Sequence, residues 1–313
     1  MVEKICLKTF LSLGDILVMT TAVESLHRQF PGRYETYVQT SCDEVWEHNP
    51  LVTRIPWDAP IPDGIRLIEC NYPTVNQSNQ RAVTFLNGYL DDLGKQLGIP
   101  LEQQCYRPHV YLTKEEAGWM SMIHQHFTHA PTKYWLVSAG CKTDYTIKMW
   151  HGYQQVVDHF AGRVQFVQIG KSEHQHPLLK GVINLIDNTN VRQLIRLAQH
   201  AQGGLGPITA LNHLLAAFDK PYVCIGGGRE PAMWMHNYMT THVLHAGAGM
   251  PCITHNGCWL SRVVPLGDGD KKDEQLCKQP MFTQHPFPVA KCMALITPQE
   301  VCLTIERILN GLA

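Results

Sequence analysis

The chain is predicted to be α/β, two doubly wound domains in tandem. Its 313 residues exceed the roughly 250–300 at which a single hydrophobic core stops growing. Short apolar runs alternate with segments of helical period along both halves. The apolar runs also end in glycines, small residues and charges, where ligands of open α/β sheets bind.

In the first half, KICLKTF is a strand, and LSLGD turns into the helical pattern ILVMTTAVESLHRQFP, which Pro31 stops. YETYVQT is the next strand; WEHNPLVTRIPW reads as a short helix and a strand, and RLIECN as a further strand. Residues 81–98 form a helix ending at Gly98 and Pro100, and HVYLTKEEAGWMSMIHQHF gives a short strand and a helix. HAPTK is the junction, so the division runs 1–132, 133–296 and a terminal helix 297–313. The second half opens with strand YWLVSAG, helix YQQVVDHFAG, strand VQFVQIG and strand-like VINLI. Helices NVRQLIRLAQHA and TALNHLLAAFD and strand YVCIGGG follow. The closing TPQEVCLTIERILNGL carries Thr297 as N-cap, Pro298 at the first helical position and Glu300 completing a capping box.

Composition narrows the function classes. With 44% hydrophobic residues, 17% charged residues and seven tryptophans, the chain can bury a large core. A formal charge of -1 provides no global field for polyanions, so a nucleic acid or an anionic saccharide would need a local patch. The opening MVEKICLKTFLSLGDILVM has acidic flanks and no small-residue cleavage site, and no segment has 18 uninterrupted apolar residues. The expectation is a cytoplasmic chain with no transmembrane contact. In such a compartment eleven cysteines are not a disulfide framework, and Cys6, Cys70 and Cys224 sit in apolar runs as small core residues.

Four strand-end loops carry candidate chemistry. In LSLGDIL, Asp15 is either a cap at a helix N-terminus or a general base directed at an acceptor hydroxyl. SAGCKTDYTIKMW offers Lys142 and Lys148 as point charges for a phosphate, or as solvated surface lysines. In GGLGPITALNHLLAAF, Gly203, Gly204 and Gly206 precede a helix with Thr209 in its first turn, an anion site of exposed N–H groups and a hydroxyl; His213 faces the same ligand or is a core histidine. IGGGREPAMW presents Gly227, Gly228, Arg229 and Glu230, where Arg can fork a phosphate and Glu can bind ribose hydroxyls, or the pair is a surface turn. No GxGxxG follows the first strand of either half, which weakens a dinucleotide reading. Together the four loops fit a phosphorylated sugar donor.

A further cluster lies in a Gly- and Pro-rich stretch. Cys252, Cys258, Cys277 and Cys292 are separated by five, eighteen and fourteen residues, with His255 and His285 close enough in sequence to replace one of them. Four thiolates can hold a structural metal ion, Zn or Fe, and order a segment that cannot bury a core; otherwise one or two are ordinary buried cysteines.

Across nearly its whole length the chain resembles glycosyltransferase family 9, the ADP-heptose:lipopolysaccharide heptosyltransferase family. The landmarks are LGDILVMTTAVESLHRQFP, WEHNPLV, the loop ending KMW, NHLLAAFDKPYVCIGGGREPAMW and KCMALITPQEV. The resemblance implies a GT-B fold, two Rossmann-like domains facing a central cleft, the first for the acceptor and the second for the nucleotide-sugar. It implies metal-independent inverting transfer of a heptose or hexose, from an ADP-sugar above other nucleotide-diphosphate sugars. Asp15 would be the base, Lys148 the phosphate lysine and His213 the donor-helix histidine. One departure stands out: the family's Asp-Thr/Ser-Gly-Pro before that histidine is GLGPITALNH here, with Gly206 and Pro207 keeping the turn or Thr209 supplying the hydroxyl. The cysteines resemble the iron-holding finger of bacterial autotransporter heptosyltransferases. The acceptor stays open among saccharide, protein, small molecule and modified nucleic acid, as does homo-oligomerisation. A nucleotide-sugar epimerase and a non-catalytic scaffold are the rival readings.

Overall fold

The first apolar run becomes β1 (Glu3–Thr9), with Ile5, Cys6 and Leu7 all fully buried, as in a parallel strand covered on both faces. The computed structural model describes residues 2–70, 83–119, 123, 133–253, 257–283 and 287–312. Around β1 assemble β2 (Tyr34–Thr40), β3 (Val52–Arg54) and β4 (Arg66–Glu69), all parallel in the order β3-β2-β1-β4. Helix α1 (Leu13–Gln29) leaves β1 directly and is buried without interruption from Gly14 to Leu26. A helix buried all round lies between layers, not on a surface. α2 (Phe85–Leu97) starts at Thr84, whose hydroxyl accepts from the Asn87 N–H, and stops at Gly98 in the left-handed conformation. α3 (Lys114–Gly118) is one turn with a Thr113/Glu116 capping box.

The second sheet is parallel and six-stranded, in the order β10-β9-β8-β5-β6-β7. Its members are β5 (Tyr134–Val137), β6 (Gln165–Gln168), β7 (Ile183–Asn184), β8 (Gly203–Gly206), β9 (Tyr222–Gly227) and β10 (Thr241–His245). α4 (Tyr153–His159), α5 (Val191–His200) and α6 (Ala210–Ala217) connect them. α7 (Pro298–Leu309) begins at the predicted Thr297/Glu300 box and packs on α4. A small hairpin, β11 (Pro280–Met281) with β12 (Val289–Ala290), lies in the cysteine-bearing segment. Among the described residues no helix is long and apolar enough to cross a membrane.

Four local expectations are corrected. The glycines of GGLG are not a loop but a central strand: a Cβ at Gly204 would fall 2.4 Å from Leu215, and one at Gly206 would fall 2.6 Å from the Ser138 carbonyl. Close approach to neighbours excludes side chains there, and a strand without side chains has no apolar alternation to read. The short helical turn precedes the predicted one, at Asp43–Trp46. Residues 109–113 are not a strand. β10 was missed, because THVLH has only two strongly apolar residues. Residues 81–82 of the predicted 81–98 helix, residues 120–122 and 124–127, residues 129–132 of the HAPTK junction, His255 and His285 lie outside the described residues.

The two halves share apolar contacts as well as neighbouring loops. One core cluster runs from Leu17 and Val18 of α1 through Leu211 and Leu214 of α6 to Leu136 of β5. A second gathers the other face of the larger sheet, including Trp135, Leu205 and Ile225, with Cys292 and Met293.

Candidate active site

Asp15 stands in the first turn of α1, which follows the carboxyl end of β1. Asp15 is only 5% exposed and its Oδ2 accepts the Ser12 backbone N–H at 3.0 Å, so the capping role is realised in the fold. Next to it, Gly14 is the contact point with the other half. A Cβ there would stand 3.2 Å from His213 Cδ2 and 3.3 Å from the Ala210 backbone. The N-termini of α1 and α6 therefore meet, and both present positive dipole ends. Lys142 spans the same junction, donating to Ser12 Oγ at 2.6 Å.

On the second half, the loops after β5, β8 and β9 converge on one buried carboxylate. Lys148 lies 2.9 Å from Glu230 Oε1 and donates to the Ile208 carbonyl at 3.4 Å, the residue before Thr209. Arg229 binds the same Glu230 oxygen and donates to the Leu260 carbonyl at 2.8 Å. Burial opposes ionisation of Glu230, but Lys148 and Arg229 outweigh it and hold the carboxyl at about 2. Two cations on one anion leave the cluster a surplus positive charge. The Arg229 guanidinium lies over the ring of Tyr145 at 4.9 Å and over that of Trp259 at 5.2 Å, and Lys272 sits over Tyr145 at 4.6 Å.

Thr209 is the N-cap of α6, and its Oγ1 is buried without a hydrogen bond of good geometry; the neighbouring Tyr222 hydroxyl donates to the Pro207 carbonyl at 2.6 Å. His213 is the core histidine as well as a junction residue. It is 3% exposed, its Nδ1 pairs with the Tyr238 hydroxyl at 2.7 Å, and Phe85 lies 5.7 Å from its ring. Burial, helped by Lys148, lowers its pKa to about 3, so the imidazole is neutral.

The contacts thus bring Asp15, Lys148, Thr209, His213, Arg229 and Glu230 into one neighbourhood. The glycines behave differently. Gly206 is packed inside the sheet, while Gly227, at φ +62°, and Gly228 face the cysteine segment: their Cβ positions fall 2.4 Å from Met293 Sδ and 2.1 Å from Ile253. Tyr145, Trp259, Lys272 and Tyr238 were not picked out from sequence. For Tyr145 a signal was present, since it lies within the lysine loop.

The cysteine segment is stitched to this site. Ile147 N–H donates to the Ser261 carbonyl at 3.2 Å, Val263 N–H to Thr146 Oγ1 at 3.2 Å, and Lys272 pairs with Asp144. Arg262, fully buried, ties the segment together through Asp268, Asp270 and Asp273. Cys292 belongs to the second core cluster, and Cys252, Cys258 and Cys277 pack against that cluster; burial pushes the Cys292 thiol up to about 12. The Gln279 backbone N–H donates to Cys277 Sγ at 3.4 Å. Four thiolates are a donor set for a tetrahedral cation, but among the described residues these sulfurs do not form a group with its ligand atoms within 4.8 Å of one another. A different cluster, Glu47, His48 and Glu116, has the proximity for a metal ion. There Arg192 already binds Glu116 at 2.6 Å and Glu47 at 3.3 Å, so it is an ion network.

No protein-family profile and no curated protein matches the chain. Solved structures do. A glycosyl transferase family 9 protein from Veillonella parvula aligns at TM-score 0.67 and 12% identity over 99% of this chain and 97% of its own. ADP-heptose lps heptosyltransferase II of E. coli aligns at TM-score 0.64 and 13% identity over 98% and 99%. The iron-containing dodecameric glycosyltransferase TibC of enterotoxigenic E. coli aligns at 0.70 and 16% over 100% and 78%, and its complex with ADP-D-beta-D-heptose aligns equally well. The chain therefore has the fold of the family 9 glycosyltransferases, the GT-B arrangement of two parallel-sheet halves about a cleft.

Proposed function

We propose that this protein is an inverting glycosyltransferase that moves a heptose or hexose from a nucleotide-diphosphate sugar, with an ADP-sugar favoured, to an acceptor hydroxyl. The observation that carries the reading is the surplus positive charge of Lys148 and Arg229 around Glu230, set beside the N-terminus of α6 and across the junction from Asp15. Diphosphate charge would develop where Lys148, Arg229 and the α6 N–H groups can stabilise it. Asp15 takes the acceptor proton as the acceptor oxygen attacks the anomeric carbon; the bond from that carbon to the diphosphate oxygen breaks on the opposite face, and the nucleoside diphosphate leaves. Glu230 fixes the two cations, and the buried Thr209 hydroxyl is a donor suited to the diphosphate. An ADP-sugar is preferred because the fold neighbours include a protein solved with ADP-D-beta-D-heptose.

In this reading residues 1–132 bind the acceptor, 133–296 bind the donor, and the 297–313 helix completes the second half. Cys252, Cys258, Cys277 and Cys292 hold a structural Zn or Fe ion that takes no part in transfer. That ion would order the segment that positions Arg229, Trp259 and Lys272. Iron is supported by the iron of TibC.

The test is a thermal-shift screen of the metal-replete protein against ADP-, GDP-, UDP- and dTDP-sugars, followed by turnover of wild type and Asp15→Asn. The asparagine keeps an acceptor for the Ser12 N–H and so spares the cap. Donor binding should persist while transfer falls about 10²–10⁴-fold. Donor conversion without any acceptor would instead favour an epimerase, and no nucleotide response would favour a scaffold. Substituting any of the four cysteines should release metal, read by elemental analysis; retention in a given variant removes that cysteine from the ligand set.

A further inference from the structure

We infer that the cavity beside the Asp15 loop is the acceptor site and that it selects an uncharged saccharide. The inference rests on the glycosyltransferase reading and names its substrate class. The cavity, about 680 Å³, is lined by Phe10, Trp57, Thr40, Ser41, Asp43 and Glu44 among others, a size suited to a small ligand. Its wall is continuous with the loop, residues 10–12, that leads into α1 and its Asp15. Phe10 begins that loop, and Ser41 donates from its hydroxyl to the Leu11 carbonyl at 2.5 Å and from its N–H to the Thr9 carbonyl at 3.3 Å. Burial, and after it the Glu44 carboxylate, pushes the thiol of Cys42, next in the chain, up.

The lining describes the ligand. Phe10 is 73% exposed and Trp57 46%, with ring centroids 5.9 Å apart at 53°. Two large aromatics held together at an open mouth leave apolar area in water that a ligand's C–H face would cover. Opposite them stand two carboxylates. Asp43 Oδ2 is occupied by Arg54 at 2.6 Å, but Asp43 Oδ1 is closed off from solvent and has no hydrogen-bond donor among the described residues. The oxygens of the Glu44 carboxylate, not Asp43 Oδ1, are therefore the acceptors on this wall that a ligand hydroxyl could meet. The Arg192 guanidinium holds this wall, donating to the Glu44 carbonyl at 3.2 Å.

Charge decides among ligands with a C–H face. Asp43 is balanced by Arg54, and Glu44 is the charge that repels a phosphate or carboxylate. A cationic ligand finds the attractive places already taken, because Lys8 lies over the Trp57 ring at 5.1 Å and Arg54 binds Asp43. A neutral polyol that stacks on the aromatics and donates hydroxyls to Glu44 meets both walls.

The experiment is saturation-transfer NMR on the full chain with methyl α-mannopyranoside, glucuronate and glucosamine as probes, using wild type, Phe10→Ala, Trp57→Ala and Glu44→Gln, with an ADP thermal shift on each sample. The expected result is transfer to the neutral glycoside, at least fivefold weaker in Phe10→Ala and Trp57→Ala, with an unchanged ADP shift in all variants. Glucuronate should be weak and should gain in Glu44→Gln. Absence of a neutral signal, insensitivity of that signal to both aromatic changes, or stronger transfer to glucuronate or glucosamine would overturn the inference. A normal ADP shift with no saccharide signal overturns the acceptor assignment alone. A seated glycoside in a protein that binds no nucleotide diphosphate or nucleotide-sugar overturns the glycosyltransferase reading as well.

Discussion

Two of the buried glutamates, Glu116 and Glu230, hold cations to opposite ends. Glu116 is forked by Arg192, which also reaches Glu47 and the Glu44 and Tyr111 carbonyls, while His48 stands 3.5 Å from Glu116. One guanidinium meets two carboxylates and two backbone carbonyls. Glu230 is the reverse: Lys148 and Arg229 converge on one of its oxygens. The first arrangement closes on itself and joins the halves. The second leaves positive charge for an incoming anion, the electrostatic difference between a clamp and a site.

Breaking the clamp should give the largest effect. Arg192→Ala leaves Glu116, a 7% exposed side chain, without its main partner, and should lower the unfolding free energy by about 3–5 kcal/mol. Chemical denaturation measures it. Arg192→Met combined with Glu116→Leu should recover most of that loss, because a hydrophobic pair does not leave a buried charge. If the double variant is as unstable as the single one, the network specifies the arrangement of the halves beyond its own charge balance.

The same change at the other glutamate should cost less. Lys148→Ala removes one of the two cations, and Arg229 stays on Glu230. About 2 kcal/mol of stability is expected, the scale of a lost charged hydrogen bond. ADP binding, followed by calorimetry, should weaken more in Lys148→Ala than in Arg192→Ala. Equal losses would erase the distinction between clamp and site. Acid should expose Glu230 as well: its carboxyl is lowered to about 2, so its stabilisation is complete above the unfolded-state value near 4.3 and is lost as pH falls from there through 2.

How much of this was legible in the sequence follows from what each feature depends on. Most long elements announced themselves through local pattern: the Thr297/Glu300 box, the α1 run after Gly14, and the strands YETYVQT and YWLV were all readable. GGLG misled because its strand is defined by what neighbouring Leu215, Ser138 and Tyr222 leave room for, which no local pattern encodes. Site residues split along the same line. Lys148, Arg229 and Glu230 were readable as charges at strand ends. The role of Gly227 and Gly228 as packing against Met293 and Ile253 was not, because those partners lie far along the chain. The Arg192 clamp was invisible for that reason too: its partners come from residues 44, 47, 111 and 116.

The smallest effect belongs to His213, which joins the two regions. Its ring touches the α1 loop at Gly14, its Nδ1 pairs with Tyr238, and its pKa is lowered to about 3. A folded pKa below the unfolded 6.5 means that the unfolded chain binds a proton first as pH falls, so stability drops on acidification from about 6.5 toward 3. His176, also lowered, to about 4, contributes in the same direction. His213→Asn keeps a hydrogen-bond partner for Tyr238 and removes one such proton. The slope of unfolding free energy between pH 6 and 5 should therefore fall by about 1.4 kcal/mol per pH unit, while the acid loss below 4.3 from Glu230 remains. An unchanged slope would mean that water reaches the imidazole in the folded protein, so that the α1–α6 junction is open enough to admit ligand at His213.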